Sequence, residues 1–266
     1  VTIVILHGVI YLLIGAFTGI VAGLFGIGGG LVVIPSLVFV FQQMAVIPQN
    51  MLMHVAVGTS LAIMIITSLS AVRSHHKVGS ILWSVLQKLW PGLIAGTISG
   101  SLLAAVIPNA WLKTFFGIFL LFVAVKMFLD KPNEHSASFP RQWIIFIICF
   151  FIGLTSGLLG VGGGVLVVPF MTYCGIPTRK IAGISNSCAF TIALIGTITF
   201  IITGFHETAS LPYTLGYVYW PAILLVGATS SIFAPIGTSL HYKLPVHQLK
   251  YGFIVLLILT SLKMLL

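Results

Sequence analysis

The chain alternates between long apolar runs and short polar breaks. The runs cover about 3–22, 31–43, 52–72, 89–107 and 111–129, then 143–158, 165–174, 181–203, 218–240 and 250–266. Most approach the roughly 20 residues that a helix needs to cross a bilayer. A run such as IIFIICFFIGL (Ile144 to Leu154) is apolar on every side. It lacks the polar–apolar alternation of a transmembrane β-strand. The pattern predicts an all-α polytopic membrane protein and excludes a β-barrel.

Composition sharpens this picture. Hydrophobic residues make up 59% of the 266 positions and charged residues only 6%, whereas a soluble domain carries about 25% charged residues. The net charge of +9 reads as basic cytoplasmic loops rather than as a nucleic-acid surface. The first segment, Thr2 to Val21, has no basic flank and no small-residue cleavage site, so it reads as a helix rather than a leader. Cys149, Cys174 and Cys188 stand singly in apolar runs and read as small core residues.

One phrase is written twice. GLFGIGGGLVVIP spans Gly23 to Pro35, and GLLGVGGGVLVVP spans Gly157 to Pro169. Three further landmarks follow in the same order: GTSLA (58–62) with SNSCA (185–189), Trp90-Pro91 with Trp220-Pro221, and Leu112-Lys113 with Leu249-Lys250. The four offsets are 134, 127, 130 and 137 residues, a scatter that loop insertions produce. The chain reads as two repeats, 1–130 and 142–266, joined by the polar linker 131–141. Duplication of this kind is the common construction of secondary transporters.

Lys and Arg decide the path of the chain at each glycine-rich break. If the break is the tip of a helical hairpin, ten of the twelve basic residues share one face, with Lys113 and Lys263 opposite. If the two arms make one bent crossing, the division is seven against five. The hairpin obeys the positive-inside rule far better. It makes each repeat a hairpin plus three spans, and it inverts the two repeats relative to each other. Both termini then lie outside the cell and the linker inside.

The second hairpin arms, 31–43 and 165–174, are short. At 1.5 Å per residue they cover about 20 and 15 Å of a hydrocarbon core about 30 Å thick, so the tips end near the midplane. Irregular backbone at that depth is buried in protein or lines a wet cavity. The tip glycines Gly28, Gly29, Gly30, Gly162, Gly163 and Gly164 permit close backbone approach. The amides that open each second arm form a natural anion site. Gly26 and Gly160, with Pro35 and Pro169, read as hinge positions that shape the break and bend the arm. Thr59, Ser60, Asn186 and Ser187, early in the third segment of each repeat, are candidate partners for the anion, although such groups also bond their own helix.

Absences narrow the function. The acids Asp130, Glu134 and Glu207 all fall in predicted loops, which leaves no intramembrane carboxylate for a cation. Nothing in the pattern calls for a metal or cofactor. An intramembrane enzyme needs a nucleophile with its base, or paired aspartates, and neither is written here. His54 reads as a satisfied or interfacial histidine. His75 and His76 read as a solvated cytoplasmic loop, and His206, His241 and His247 also as loop residues. Trp90-Pro91 and Trp220-Pro221 read as interface anchors with proline in the first helical turn.

The doubled GxGGGxxxxP, with GTS in the following span, resembles the TauE/SafE sulfite exporter family, also called the toluene sulfonate uptake permeases. The resemblance covers essentially the whole chain. It implies a transporter of small anions such as sulfite, sulfoacetate or related organosulfonates and carboxylates. By position, Gly28 to Gly30 and Gly162 to Gly164 carry the family's glycine motif, with Pro35 and Pro169 its proline. The second repeat has SNS where the first has GTS, a departure from any symmetric role. The leading expectation is alternating access around an anion held by the two tips; the alternative is an anion or small-solute channel on the same architecture. Its partners are then a small anionic substrate and the lipid bilayer, with no nucleic acid. The sequence leaves the oligomeric state open.

Overall fold

The computed structural model describes residues 2–25, 29–44, 47–129, 139–243 and 246–265. Within them the chain forms ten helices and one two-residue-stranded hairpin. The helices are α1 (Thr2–Phe25), α2 (Gly30–Met44), α3 (Leu52–Lys77), α4 (Trp83–Val106), α5 (Asn109–Leu129), α6 (Gln142–Leu159), α7 (Gly164–Tyr173), α8 (Thr178–Gly204), α9 (Trp220–Lys243) and α10 (Val246–Leu265). Between α8 and α9, β1 (Thr214–Leu215) pairs antiparallel with β2 (Val218–Tyr219). Six helices (α3, α4, α5, α6, α8 and α9) contain segments long and apolar enough to cross a membrane. Exposed Phe122, Phe128, Trp143, Leu224 and Ile232 give the bundle the apolar outer surface that lipid requires. The protein is a polytopic all-α membrane protein.

Helices α3 and α8 form the centre. A Cβ on Gly58 of α3 would reach Phe200 of α8, and one on Gly196 would reach Leu61. Met64 clusters with Ala189 and Ala193. Residue numbers rise along one helix as they fall along the other, so α3 and α8 run antiparallel. Around them α4 packs on α6 and α1 on α9, while α5 packs on α10. Exchanging the first five helices with the last five leaves these pairings unchanged.

Small residues make the outer contacts close. A Cβ on Gly92, Gly96 or Gly100 of α4 would overlap carbonyl oxygens of Phe146, Phe150 and Leu154 in α6. Apolar side chains gain little by pairing in lipid, so backbone approach at such positions carries the association. Gly19 of α1 lies in the same way against the Ser230 backbone of α9, its Cβ position 2.5 Å from that carbonyl oxygen.

Several boundaries differ from the sequence reading. Helix α4 begins at Trp83, not near Trp90, so Pro91 lies inside it; only Pro221 falls in a first turn. His75 and His76 are the last turn of α3, and His75 is buried rather than solvated. His241 and His247 fall within α9 and α10. In each case the helix extends past its apolar run, at the start for α4 and α10 and at the end for α3 and α9.

The basic residues gather at one end of the bundle. Arg73 and Lys77 close α3, Lys88 opens α4, Lys126 closes α5, and Arg141 and Lys180 flank the starts of α6 and α8. Gln142 donates to the Lys88 carbonyl, and the Ser80 backbone packs on Gly183 of α8, which ties these ends together. Lys113 and Lys263 meet at the opposite end, in a cavity shared with α1 and α2. This first end is called the basic end below.

Candidate functional site: two glycine tips and their surroundings

Each second hairpin arm starts from a glycine. Gly29 has φ of 79°, Gly160 closes α6 with φ of 68°, and Gly163 opens α7 with φ of 64°. A side chain at any of them would pay the left-handed penalty of about 1–2 kcal/mol. Gly163 caps α7 with no side-chain hydrogen bond; its carbonyl accepts from Leu166 and Val167. Gly162 and Gly164 are buried beside it. Gly26 and Gly28 lie outside the described residues. Pro35 and Pro169 are each the sixth residue of their helix.

The two tips touch. A Cβ on Gly30 would lie 2.6 Å from the Gly160 carbonyl oxygen and 3.1 Å from Val161 Cα. Gly160 in turn has room for no side chain against Val57 and Ile34, at 2.8 and 3.0 Å. Ser60 Oγ donates to the Gly160 carbonyl at 3.2 Å. Thus α3 of the first five helices steadies the tip formed by α6 and α7. Met64 Sδ flanks the same point, so the junction is largely apolar, and any anion there must be bound by backbone.

The other candidate side chains are placed differently. Thr59 Oγ1 accepts from the Tyr219 amide at 2.9 Å, which fastens β2 onto α3. Asn186 Nδ2 donates to Ala182 and Ser187 Oγ to Gly183, both in their own helix. Antiparallel packing sets Asn186 and Ser187 level with residues near 70 of α3, roughly 15 Å along the axis from Ser60. The structure therefore brings together Gly30, Ser60 and Gly160, and it leaves Asn186 and Ser187 nearer the basic end.

Sequence reading missed the connector 205–219. It carries Tyr217 over Gly58, where any Cβ would overlap the Tyr217 carbonyl oxygen. The Tyr217 ring lies 5.2 Å from His54 and 6.2 Å from Phe200. The Tyr217 amide donates to Phe200, and the Thr208 hydroxyl lies 2.9 Å from the Gly216 carbonyl. Burial, and secondarily the Glu207 charge, raises the Tyr217 phenol above its ordinary range, so it stays neutral at physiological pH. His54 Nε2 lies 3.1 Å from the carbonyls of Ala104 and Ile107, while its buried Nδ1 meets no hydrogen-bond partner, so the satisfied state expected of it holds at one ring nitrogen alone. The one available signal was Gly216 beside aromatic residues in an otherwise polar stretch.

A second cavity, about 360 Å³, opens at the basic end between α3 and α9. Ile66, Leu69, Ser70, Arg73, Ser74, Lys77 and Ser231 line it. Among the described residues no group of three or more His, Cys, Asp or Glu is placed to hold a metal.

Comparison with known proteins agrees with this architecture. The family model described as sulfite exporter TauE/SafE matches residues 11–264. A probable membrane transporter protein of Haemophilus influenzae is 35% identical over 254 residues, 95% of this chain and 96% of that protein. Another of Methanocaldococcus jannaschii is 30% identical over 241 residues, covering 90% and 88%. One of Bacillus subtilis is 26% identical over 216 residues, covering 74% and 79%. No solved structure gives a significant match. A doubled glycine break inside a ten-helix bundle, matched by that family model over nearly its whole length, places the chain in the TauE/SafE sulfite exporter family of membrane transporters.

Proposed function

We propose that the protein is a secondary carrier that moves a small anion across the cytoplasmic membrane by alternating access. The substrate is sulfite, an organosulfonate such as sulfoacetate, or a related sulfur or carboxylate anion. In this reading residues 1–130 and 142–266 are inverted repeats. The linker 131–141 and the basic end face the cytoplasm, and both termini face outward. The observation that carries the reading is the contact of Gly30 with Gly160, beside two antiparallel core helices. The start of α2 meets the tip where α6 ends, three residues before Gly163 opens α7; in this reading the amides and positive dipole ends that open α2 and α7 attract an anion without a buried cation. Because the tips touch, passage requires the halves to move, which favours a carrier over an open pore.

Counterflow in proteoliposomes tests this. Vesicles preloaded in turn with sulfite, sulfoacetate, thiosulfate, acetate and chloride are supplied with trace labelled anion outside. The expected result is transient accumulation driven by a sulfur anion. Linear, voltage-driven current without counterflow refutes the carrier.

A further inference from the structure

Arg73 and Lys77 sit one turn apart on α3, and both line the cavity of about 360 Å³ at the basic end. Like charges at this spacing repel. Glu207, the one side-chain carboxylate among the described residues, lies beyond the far end of α8. The positive-inside rule accounts for cations at this end. It does not account for their position on one cavity with three serines. Lys88, by contrast, lies over the Phe139 ring, 5.6 Å from its centroid.

The cavity also stands at the mouth of a polar seam. Thr67 Oγ1 and Ser230 Oγ share a hydrogen bond of 2.6 Å, and Ser70 Oγ donates to Ser231 at 3.1 Å. Ser74 donates to Ser70 at 3.1 Å. From Arg73 the helix runs about 20 Å to Ser60, which holds the Gly160 tip. At the corresponding positions of α8, offset by 127 residues, stand Phe200, fully buried, and Gly204, packed on Tyr217. The far end of that helix has no such site.

We infer that this cavity captures a small soluble oxyanion, bound by the Arg73 guanidinium and the Lys77 ammonium, before it reaches the tips. The guanidinium fork matches two oxygens of a sulfur or phosphorus oxyanion, and the ammonium supplies a point charge. The serine hydroxyls now bond backbone carbonyls, and each can exchange that bond for a charge-assisted one. A phospholipid headgroup offers the same chemistry, so the test separates the two. The binding stands independently of transport; only its role as a loading step rests on the carrier reading.

Full-length protein carrying Ser74→Cys is treated with a neutral maleimide in lipid-free micelles, with Ser231→Cys as a second reporter. Millimolar sulfate is expected to slow labelling several-fold, whereas chloride at matched ionic strength leaves it unchanged. Protection is expected to disappear in R73Q/K77Q and to persist in part in R73K. Equal slowing by chloride, protection that survives R73Q/K77Q, or reporters closed to the maleimide overturns the site. Protection by phosphatidylglycerol but not by sulfate also overturns it. In proteoliposomes of known orientation, R73Q/K77Q should raise the half-saturating concentration about tenfold from the basic face alone. Protection without counterflow leaves the site and removes the carrier; counterflow without protection does the reverse.

Discussion

Two connectors join third to fourth helices in this bundle, and they differ sharply. Residues 78–82 link α3 to α4 at the basic end, whereas residues 205–219 link α8 to α9 and fold into a hairpin. Each seats on the start of the other central helix: Ser80 and Ile81 on Gly183, and Tyr217 on Gly58. The short one leaves Arg73 and Lys77 open beside a polar cavity. The long one covers its seat with aromatic rings and uses the Thr59 hydroxyl as a fastening. One packing scheme thus carries an open, charged connector region and a covered one, while Lys113 and Lys263 line a separate cavity at that second end. The lesson is that a shared packing scheme sets where helices cross, and connector sequence sets how each helix end is covered.

The largest test of this comparison strikes what the two ends share. Gly30→Ala places a methyl 2.6 Å from the Gly160 carbonyl, so the tips must part. Counterflow should fall about tenfold or more, equivalent to ~1.4 kcal/mol or more, with a smaller loss of folded yield by fluorescence-detected gel filtration. Equal losses would make the contact structural only.

The next contrast sets seat against seat. Gly58→Ala drives a methyl into the Tyr217 carbonyl, whereas Gly183→Ala meets Ser80 at 3.1 Å, a contact that a small shift relieves. Thermal unfolding in micelles should show Gly58→Ala destabilised by about 1–3 kcal/mol, the range for overpacking, with Gly183→Ala well below it. Similar values for both would erase the distinction between the connectors.

Smaller effects sharpen the covered connector. Thr59→Val leaves the buried Tyr219 amide without an acceptor and should cost about 1–3 kcal/mol, while Thr59→Ser keeps the bond and should stay near wild type. Hydrogen exchange at Tyr219 reads this directly: protection should drop in the valine variant alone. Asn186→Ala loses only an i−4 bond within its own helix and should barely change stability. Its expected signature is altered substrate preference in counterflow; unchanged preference with unchanged affinity removes Asn186 from the anion's path.

Much of the architecture was legible because lipid makes few demands and makes them everywhere. Apolar runs had to become helices, since the bilayer offers no partner to an unpaired amide. The short second arms followed from run length: α2 and α7 span Gly30–Met44 and Gly164–Tyr173, close to the segments expected at 31–43 and 165–174. Among residues with described side chains, Arg73, Lys77, Lys88, Lys126, Arg141 and Lys180 lie at one end and Lys113 and Lys263 at the other; the expected division of all twelve includes residues outside this set. Boundaries failed where polarity misled. His75 is polar yet buried, because Ser80 Oγ lies 3.3 Å from its Nδ1. Trp90-Pro91 imitates a helix start, yet α4 already runs through it.

The candidate side chains show the deeper limit. By itself the sequence determined the all-α membrane class, the doubled glycine break and the residue types able to meet an anion. These are local properties: hydropathy, chain length and backbone freedom act on each segment alone. Only the tertiary structure decided that Gly30 meets Gly160, that Ser60 supports that contact, and that Thr59 is taken by Tyr219. It also set Arg73 and Lys77 on one cavity with Ser231, 154 residues beyond Lys77. A hydroxyl's partner depends on which distant backbone group is brought within about 3 Å of it. That distance is a product of how helices cross, and no periodicity along the chain records it.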